Sequence, residues 1–302
     1  MQPVTQVEAG DLSVGVSEDG PREGPAVILL HGFPYDIHAY AEVQRLLARQ
    51  GCRVIVPFLR GYGTTRFLRD ELPRSGEQVA LGWDLRALMD ALDLESAVLA
   101  GYDWGGRAAC VVAALWPERC AGLVSCNGYN LLHPPSALEP ASPLHEARYW
   151  YQFYLHGERG RRGLERSRAE FTRLLWQTWS PSWPFSDAEF LRSAAAFDNP
   201  DFVEVVVHSY RHRYGLAAGD PRFLALEAQL LARPVIRPPT IVLDGLADGV
   251  VAASDPKVLA QQFEHLVRHQ GVEGVGHNFP QECPEVFAAA VLELVREKAR
   301  AA

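Results

Sequence analysis

The sequence predicts an α/β protein: a mostly parallel central sheet flanked by helices and interrupted by an all-helical insert. Three observations carry this expectation. Short apolar runs at 27–31, 53–57, 96–101 and 121–125 are separated by helical or loop stretches, the rhythm of a parallel sheet. The rhythm stops near residue 131. From there to 233 the chain has no strand-like run, only amphipathic stretches punctuated by Pro134-Pro135, Trp179-Ser180-Pro181-Ser182-Trp183-Pro184 and Asn199-Pro200. The strand pattern resumes at Thr240-Ile241-Val242-Leu243 and runs on to a final helix. The expected organisation is a core domain of residues 1–130 and 234–302. A helical cap of residues 131–233 lies over the sheet edge where open α/β sheets bind ligands.

Each strand end carries a turn with chemical content. The first apolar run, Ala26-Val27-Ile28-Leu29-Leu30, enters His31-Gly32-Phe33-Pro34, a glycine turn whose backbone N–H groups can hold a developing oxyanion. The run Ser96-Ala97-Val98-Leu99-Ala100 enters Gly101-Tyr102-Asp103-Trp104-Gly105-Gly106, and an alanine- and valine-rich helix follows from Arg107 to Trp116. Asp103 therefore stands on a strand–turn–helix elbow, where G-x-S-x-G hydrolases place serine. A carboxylate attacking a saturated carbon leaves a covalent ester, whereas attack on a substrate ester would give only a labile anhydride. The elbow thus argues against lipase or peptidase chemistry and for displacement at carbon.

The strand at 240–243 ends in Asp244-Gly245-Leu246-Ala247-Asp248, which supplies an acid. Asp248 is favoured over Asp244 because a few loop residues are needed to swing the carboxylate under an imidazole. Gly274-Val275-Gly276-His277 is expected to end another short strand before a helix starting near Glu282, with His277 as the base. The chain order nucleophile, acid, histidine is that of an α/β-hydrolase triad.

Composition is that of an enzyme able to bury a large core: 302 residues, 48% hydrophobic and 22% charged, with a formal net charge of −8 that gives no reason to expect nucleic acid as partner. The five cysteines form no C-x-x-C pair and read as reduced core residues of a cytoplasmic protein. No N-terminal signal region and no run of about 18 apolar residues appears, so no membrane partner is expected. Neither H-E-x-x-H nor a Walker-type glycine loop is present, and the reading calls for no cofactor and no metal. The arginine-rich run from Arg159 to Arg168 reads as a solvated helix face.

The 131–233 segment holds four of the seven tryptophans, Trp150, Trp176, Trp179 and Trp183, and five of the ten tyrosines, Tyr149, Tyr151, Tyr154, Tyr210 and Tyr214. Most such aromatics pack a core. A neutral phenol, however, can also give a proton to an oxygen gaining charge as its bond to carbon breaks.

Over essentially its whole length the chain resembles the α/β-hydrolase-fold epoxide hydrolases. The carriers are His31-Gly32-Phe33-Pro34, similar to the family's H-G-x-P oxyanion turn, then Gly101 to Gly106, Asp248 and Gly276-His277. Trp150-Tyr151-Gln152-Phe153-Tyr154 and Ser209-Tyr210-Arg211 resemble the segments carrying the two ring-opening tyrosines. The resemblance implies Asp103 as nucleophile, His277 and Asp248 as base and acid, Tyr151 and Tyr210 as proton donors, and the Phe33 and Trp104 N–H groups as oxyanion hole. His31, Pro34, Trp104, Arg107, Trp150 and Tyr154 are the expected substrate contacts. The chain departs from the family in having Tyr102 where histidine is frequent, and in the stretch Glu158-Arg159-Gly160-Arg161-Arg162-Gly163.

Two other readings share these residues. Haloalkane and haloacetate dehalogenases of the same fold also use an aspartate. Trp104 could then donate to halide and Arg107 bind a substrate carboxylate, although Arg107 fits equally well as a solvated or ion-paired helix residue. A hydrolase-fold protein that binds a small ligand without turnover is the alternative of another class, but it would be expected to show a broken triad.

Overall fold

In the computed structural model, which describes residues 1–301, the core is one twisted nine-stranded sheet. The strands are β1 (Val4–Ala9), β2 (Leu12–Asp19), β3 (Ala26–Leu30), β4 (Arg53–Pro57), β5 (Arg66–Phe67), β6 (Ala97–Gly101), β7 (Cys120–Cys126), β8 (Thr240–Gly245) and β9 (Leu266–Val272). Their spatial order is β1-β2-β4-β3-β6-β7-β8-β9, with β5 pairing on β2. From β4 to β9 every neighbour along this path is parallel, while β1, β2 and β5 pair antiparallel.

The parallel strands are legible as apolar runs because helices cover both faces and leave no polar side. Every residue of β3, β4, β6 and β8 is buried or nearly so, the exception being Ala26. The β1–β2 hairpin has no such signature, since β1 is an exposed edge. Its one local signal is Gly10-Asp11 between paired Ala9 and Leu12, with Gly10 at φ +58°.

Outside the 131–233 segment lie α1 (Ala41–Arg49), α2 (Gln78–Ala91) and α3 (Asp103–Leu115). That segment holds α4 (Pro143–Arg148), α5 (Trp150–Tyr154), α6 (Glu158–Arg166), α7 (Arg168–Trp179), α8 (Asp187–Ala194), α9 (Phe202–Arg213) and α10 (Leu224–Leu231), and no strand. Beyond it come α11 (Pro256–Gln262), α12 (Phe279–Glu282) and α13 (Pro284–Ala301). Hydrogen bonds that tie the helical segment to the core include Trp176 Nε1 to the Pro34 carbonyl (2.8 Å), Ser193 Oγ to Asp36 (2.6 Å) and the Gly249 N–H to the Trp179 carbonyl (2.9 Å).

Two details differ from the sequence expectation. The strand before His277 ends at Val272, and Gly274, at φ +75°, turns the chain so that His277 lies in a loop rather than at a strand end. The helix expected near Glu282 is divided into α12 and α13 around Cys283. Arg161 and Arg162 of the basic run face outward and pair with Glu158, Glu165 and Glu204. No helix among the described residues is long and apolar enough to cross a membrane. All five cysteines are free thiols.

Candidate active site

The chain runs from β3 outward to β4 and returns to the other side of β3 with β6, so the sheet has its switch point between β3 and β6. Leu30 and Gly101 end these strands in register, and the two turns that follow meet above them. The Phe33 N–H donates to Asp103 Oδ1 at 2.8 Å. A Cβ on Gly105 would lie 2.0 Å from the Leu30 carbonyl oxygen, and one on Gly32 would lie 2.6 Å from the Asp103 Cβ. Only glycine permits this approach of helix to strand and of turn to turn.

Asp103 is the first residue of α3 and has φ +49°, a left-handed conformation that costs a non-glycine residue about 1–3 kcal/mol. The strain lifts its carboxylate off the sheet at a helix N-terminus, where the dipole favours an anion. The Trp104 N–H is in the first helical turn and has no intrahelical acceptor, so it is available beside that of Phe33. Burial pushes the Asp103 carboxyl up. The cationic His277 and Arg107 and the Phe33 N–H outweigh burial and hold it below the usual carboxylate range.

His277 reaches this carboxylate from the other side, with Nε2 3.8 Å from Asp103 Oδ2, beyond hydrogen-bonding distance. That nitrogen is buried and has no partner. The opposite ring nitrogen, Nδ1, lies 2.7 Å from Asp248 Oδ2. Asp248 is fixed in turn by the N–H groups of Val250 (2.8 Å) and Val251 (2.9 Å) on Oδ1 and by Asn127 Nδ2 (3.2 Å) on Oδ2. Burial lowers the basicity of His277, but the carboxylates of Asp248 and Asp103 on its two sides reverse this, and its pKa is pushed up to about 10. Asp244, the other acid considered, is fully buried and bound elsewhere: it accepts from the Ser254 N–H (2.7 Å) and hydroxyl (3.1 Å) and contacts His269 Nε2 (2.7 Å).

Tyr151 and Tyr210 are buried with their rings edge to face, 5.3 Å apart, and Tyr210 also packs on Phe33 (5.4 Å) and Trp104 (6.0 Å). Burial raises the pKa of both phenols, and the charge of Asp103 adds to it, so both remain neutral donors. Gln152 Nε2 donates to the Tyr151 hydroxyl oxygen at 2.9 Å, which leaves the phenolic proton free to point elsewhere. Gln152 Oε1 is held by Arg213 Nη1 and Tyr214 Oη, both at 3.1 Å. Arginine can only donate, so this fixes which way the amide faces.

A cavity of about 240 Å³ is lined by Asp103, His277, Tyr151, Arg107, Gln152 and Arg213 among others, while Tyr210 and Phe33 are not part of its wall. Several expected substrate contacts lie outside it. His31 is fully buried, with Nδ1 3.1 Å from the Gly32 carbonyl and Nε2 accepting from the Leu59 N–H at 3.1 Å. Burial lowers its pKa to about 4, so it is a neutral latch between two turns. Pro34 contributes its carbonyl to Trp176. Trp150 and Tyr154, four residues apart on the one-turn helix α5, share its outer face and pack on Phe171, while Tyr151 points inward. The Trp104 indole is buried with Nε1 unpartnered and does not line the cavity. Arg107 is neither solvated nor ion-paired: it is 6% exposed, with two guanidinium nitrogens unpartnered. Sequence reasoning missed Gln152, Arg213 and Asn127. The one available signal was Arg213, three residues after Tyr210 and so on the same helix face.

Residues 25–282 match the α/β hydrolase fold family. The chain is 33% identical over 149 residues to epoxide hydrolase B of Mycobacterium tuberculosis, a match spanning 44% of this chain and 40% of that protein. It is likewise 33% identical to a haloalkane dehalogenase of Psychrobacter cryohalolentis over 41% of this chain and 40% of that one. The chain thus aligns with less than half the length of these curated relatives. A crystal structure of a Klebsiella pneumoniae protein, provisionally assigned as an epoxide hydrolase, superposes with a TM-score of 0.93 at 44% identity over 97% of both chains. With its parallel sheet, its elbow and this family match, the chain belongs to the α/β hydrolase fold family.

Proposed function

We propose that this protein hydrolyses small organic epoxides to vicinal diols through an ester on Asp103. The observation that carries the reading is the pair of buried neutral phenols, Tyr151 and Tyr210, set beside a strained, ionised aspartate. Asp103 attacks one ring carbon, the C–O bond breaks, and a phenol protonates the departing oxygen. Esterification removes one of the two negative charges that hold the proton on His277. Its basicity falls, and it returns a proton to the phenolate.

Neutral His277, oriented by Asp248, then takes a proton from water as the water oxygen attacks the Asp103 carbonyl carbon. The N–H groups of Phe33 and Trp104 stabilise the resulting oxyanion. Collapse expels the alkoxide, which takes the proton from His277, and the carboxylic proton then returns to the imidazole. The substrate partner is thus a small molecule, and none of these steps calls for a cofactor.

The test combines intermediate trapping with removal of the phenols. His277→Gln, mixed with an epoxide, should accumulate an adduct on Asp103 visible by intact mass. Tyr151→Phe and Tyr210→Phe should each slow its formation by roughly 10² or more, the usual scale of general acid catalysis. A halide leaves as a stable anion and needs no phenol. Full epoxide turnover in both tyrosine variants would remove the phenols from the reaction, and consumption of haloacetate alone would replace this reading with dehalogenation.

A further inference from the structure

We propose that the site selects substrates carrying a carboxylate next to the epoxide, and that Arg107 and Arg213 form the anion-binding wall of the cavity. The proposal rests on Asp103 acting on epoxides and names the class of epoxide. Arg107 lies on α3 one turn beyond Asp103, so both side chains leave the same helix face. Its Nε and Nη1 are buried without a hydrogen-bond partner, although the residue is 94% removed from solvent (6% exposed).

Arg213 approaches from α9 and stacks its guanidinium 5.1 Å from the centre of the Tyr210 ring. It uses Nη1 on Gln152 and leaves Nε buried and unpartnered. Among the described residues no carboxylate lies within ion-pairing distance of either arginine. Both line the cavity that holds Asp103.

The unpaired buried charge of Arg107 is costly, and the half-buried Arg213 facing the same cavity adds to that cost. The mutual repulsion is visible on Arg107, whose pKa burial and the charge of Arg213 lower to about 10. The other charges do not cancel the pair. Asp103 and Asp248 are anionic and His277 cationic, so with both arginines one positive charge is left over. A carboxylate on the substrate removes it.

The planar fork of a guanidinium matches a carboxylate through two parallel hydrogen bonds, as a neutral epoxide substituent cannot. Held in this way, the carboxylate would fix the neighbouring oxirane carbon over Asp103. It would also offset the repulsion between an anionic substrate and the anionic nucleophile.

The experiment compares two epoxides of the same size, oxirane-2-carboxylate and oxirane-2-carboxamide. The wild-type enzyme should favour the acid by about 10²-fold in kcat/KM, mostly through KM, the scale expected for a buried charge-assisted pair. Arg107→Met should bring the two within a few-fold of each other, and Arg107→Lys should restore part of the preference.

Hydrolysis of both compounds with no preference for the acid overturns the anion-binding wall and leaves epoxide hydrolysis standing. Hydrolysis of neither overturns the epoxide reading. Calorimetric titration of the wild type with 2,3-dihydroxypropanoate and its amide then decides the wall separately. Binding of the acid alone, lost in Arg107→Met, upholds it, and equal or absent binding of both overturns it. Turnover of chloroacetate but not of the epoxy acid keeps the arginines and replaces the epoxide.

Discussion

Asp103 and Asp248 are both carboxylates within reach of one imidazole, and their surroundings separate them. Asp248 spends both oxygens: Oδ1 on two backbone N–H groups, Oδ2 on Asn127 and His277. It can orient the ring but has no lone pair directed at a substrate. Asp103 has one oxygen tied to Phe33 and the other facing the cavity beside an unpartnered nitrogen of His277. The same contrast settles the loop acid. Asp244 is saturated by Ser254 and His269, on the side away from His277. Asp248→Asn should therefore slow hydrolysis of the Asp103 ester by roughly 10²–10⁴, as loss of an orienting aspartate does in related triads. Asp244→Asn should act on stability, by about 1–3 kcal/mol for a buried acceptor left with mismatched donors. Single-turnover kinetics and thermal melts on both variants check this; the reverse ranking would move the acid to Asp244. The sequence favoured Asp248 by loop length and by the family resemblance, and it could not reveal that Ser254 and His269 claim Asp244.

At the scale of elements, the two turns after β3 and β6 depend on contacts too close for any side chain. A methyl on Gly105 would sit 2.0 Å from a backbone oxygen that has no freedom to move, whereas a methyl on Gly157 would meet nothing within 4 Å. Gly105→Ala should accordingly cost about 1–3 kcal/mol of stability by overpacking, and should lower turnover further by parting the Phe33 N–H from Asp103. Gly157→Ala should leave both close to wild type. Urea unfolding and turnover of the two variants side by side test the comparison, and equal effects would deny the elbow its special packing. This part of the fold was legible. Buried parallel strands read as unbroken apolar runs, and glycines in the following turn mark where helix and strand touch. The facing of α5 was not. A single turn is too short for a periodicity to show, so nothing in Trp150 to Tyr154 says that Tyr151 and Gln152 turn inward while Trp150 and Tyr154 turn out.

For the whole molecule, the helical segment was legible as a gap in the strand rhythm, but its electrostatic consequence was not. Arg107 and Arg213 are 106 positions apart in the sequence and meet only because α9 packs over the elbow. The packing also places Trp179 against His277, with ring centres 5.0 Å apart, which helps close the imidazole off from water between two carboxylates. An unfolded chain gives His277 its ordinary pKa of 6.5, whereas the folded enzyme raises it to about 10. The folded state thus binds the proton more tightly, and this stabilises it fully below pH 6.5. The gain fades as pH climbs from 6.5 towards 10, where the folded imidazolium also loses its proton. Asp103 works in the opposite sense: its depressed pKa favours the fold above the ordinary carboxylate range and ceases to do so in acid. The histidine contribution amounts to at most about 5 kcal/mol, since each tenfold gain in proton affinity is worth about 1.4 kcal/mol, and this is on the order of ten degrees in Tm for a chain of this size. Melting curves of the wild type and His277→Gln between pH 6 and pH 10 should show the wild-type advantage shrinking as pH rises, because only the wild type has this proton to lose. A gap that stays constant across the range would mean that His277 is neutral in the free enzyme, and that forming the ester on Asp103 has no proton to release.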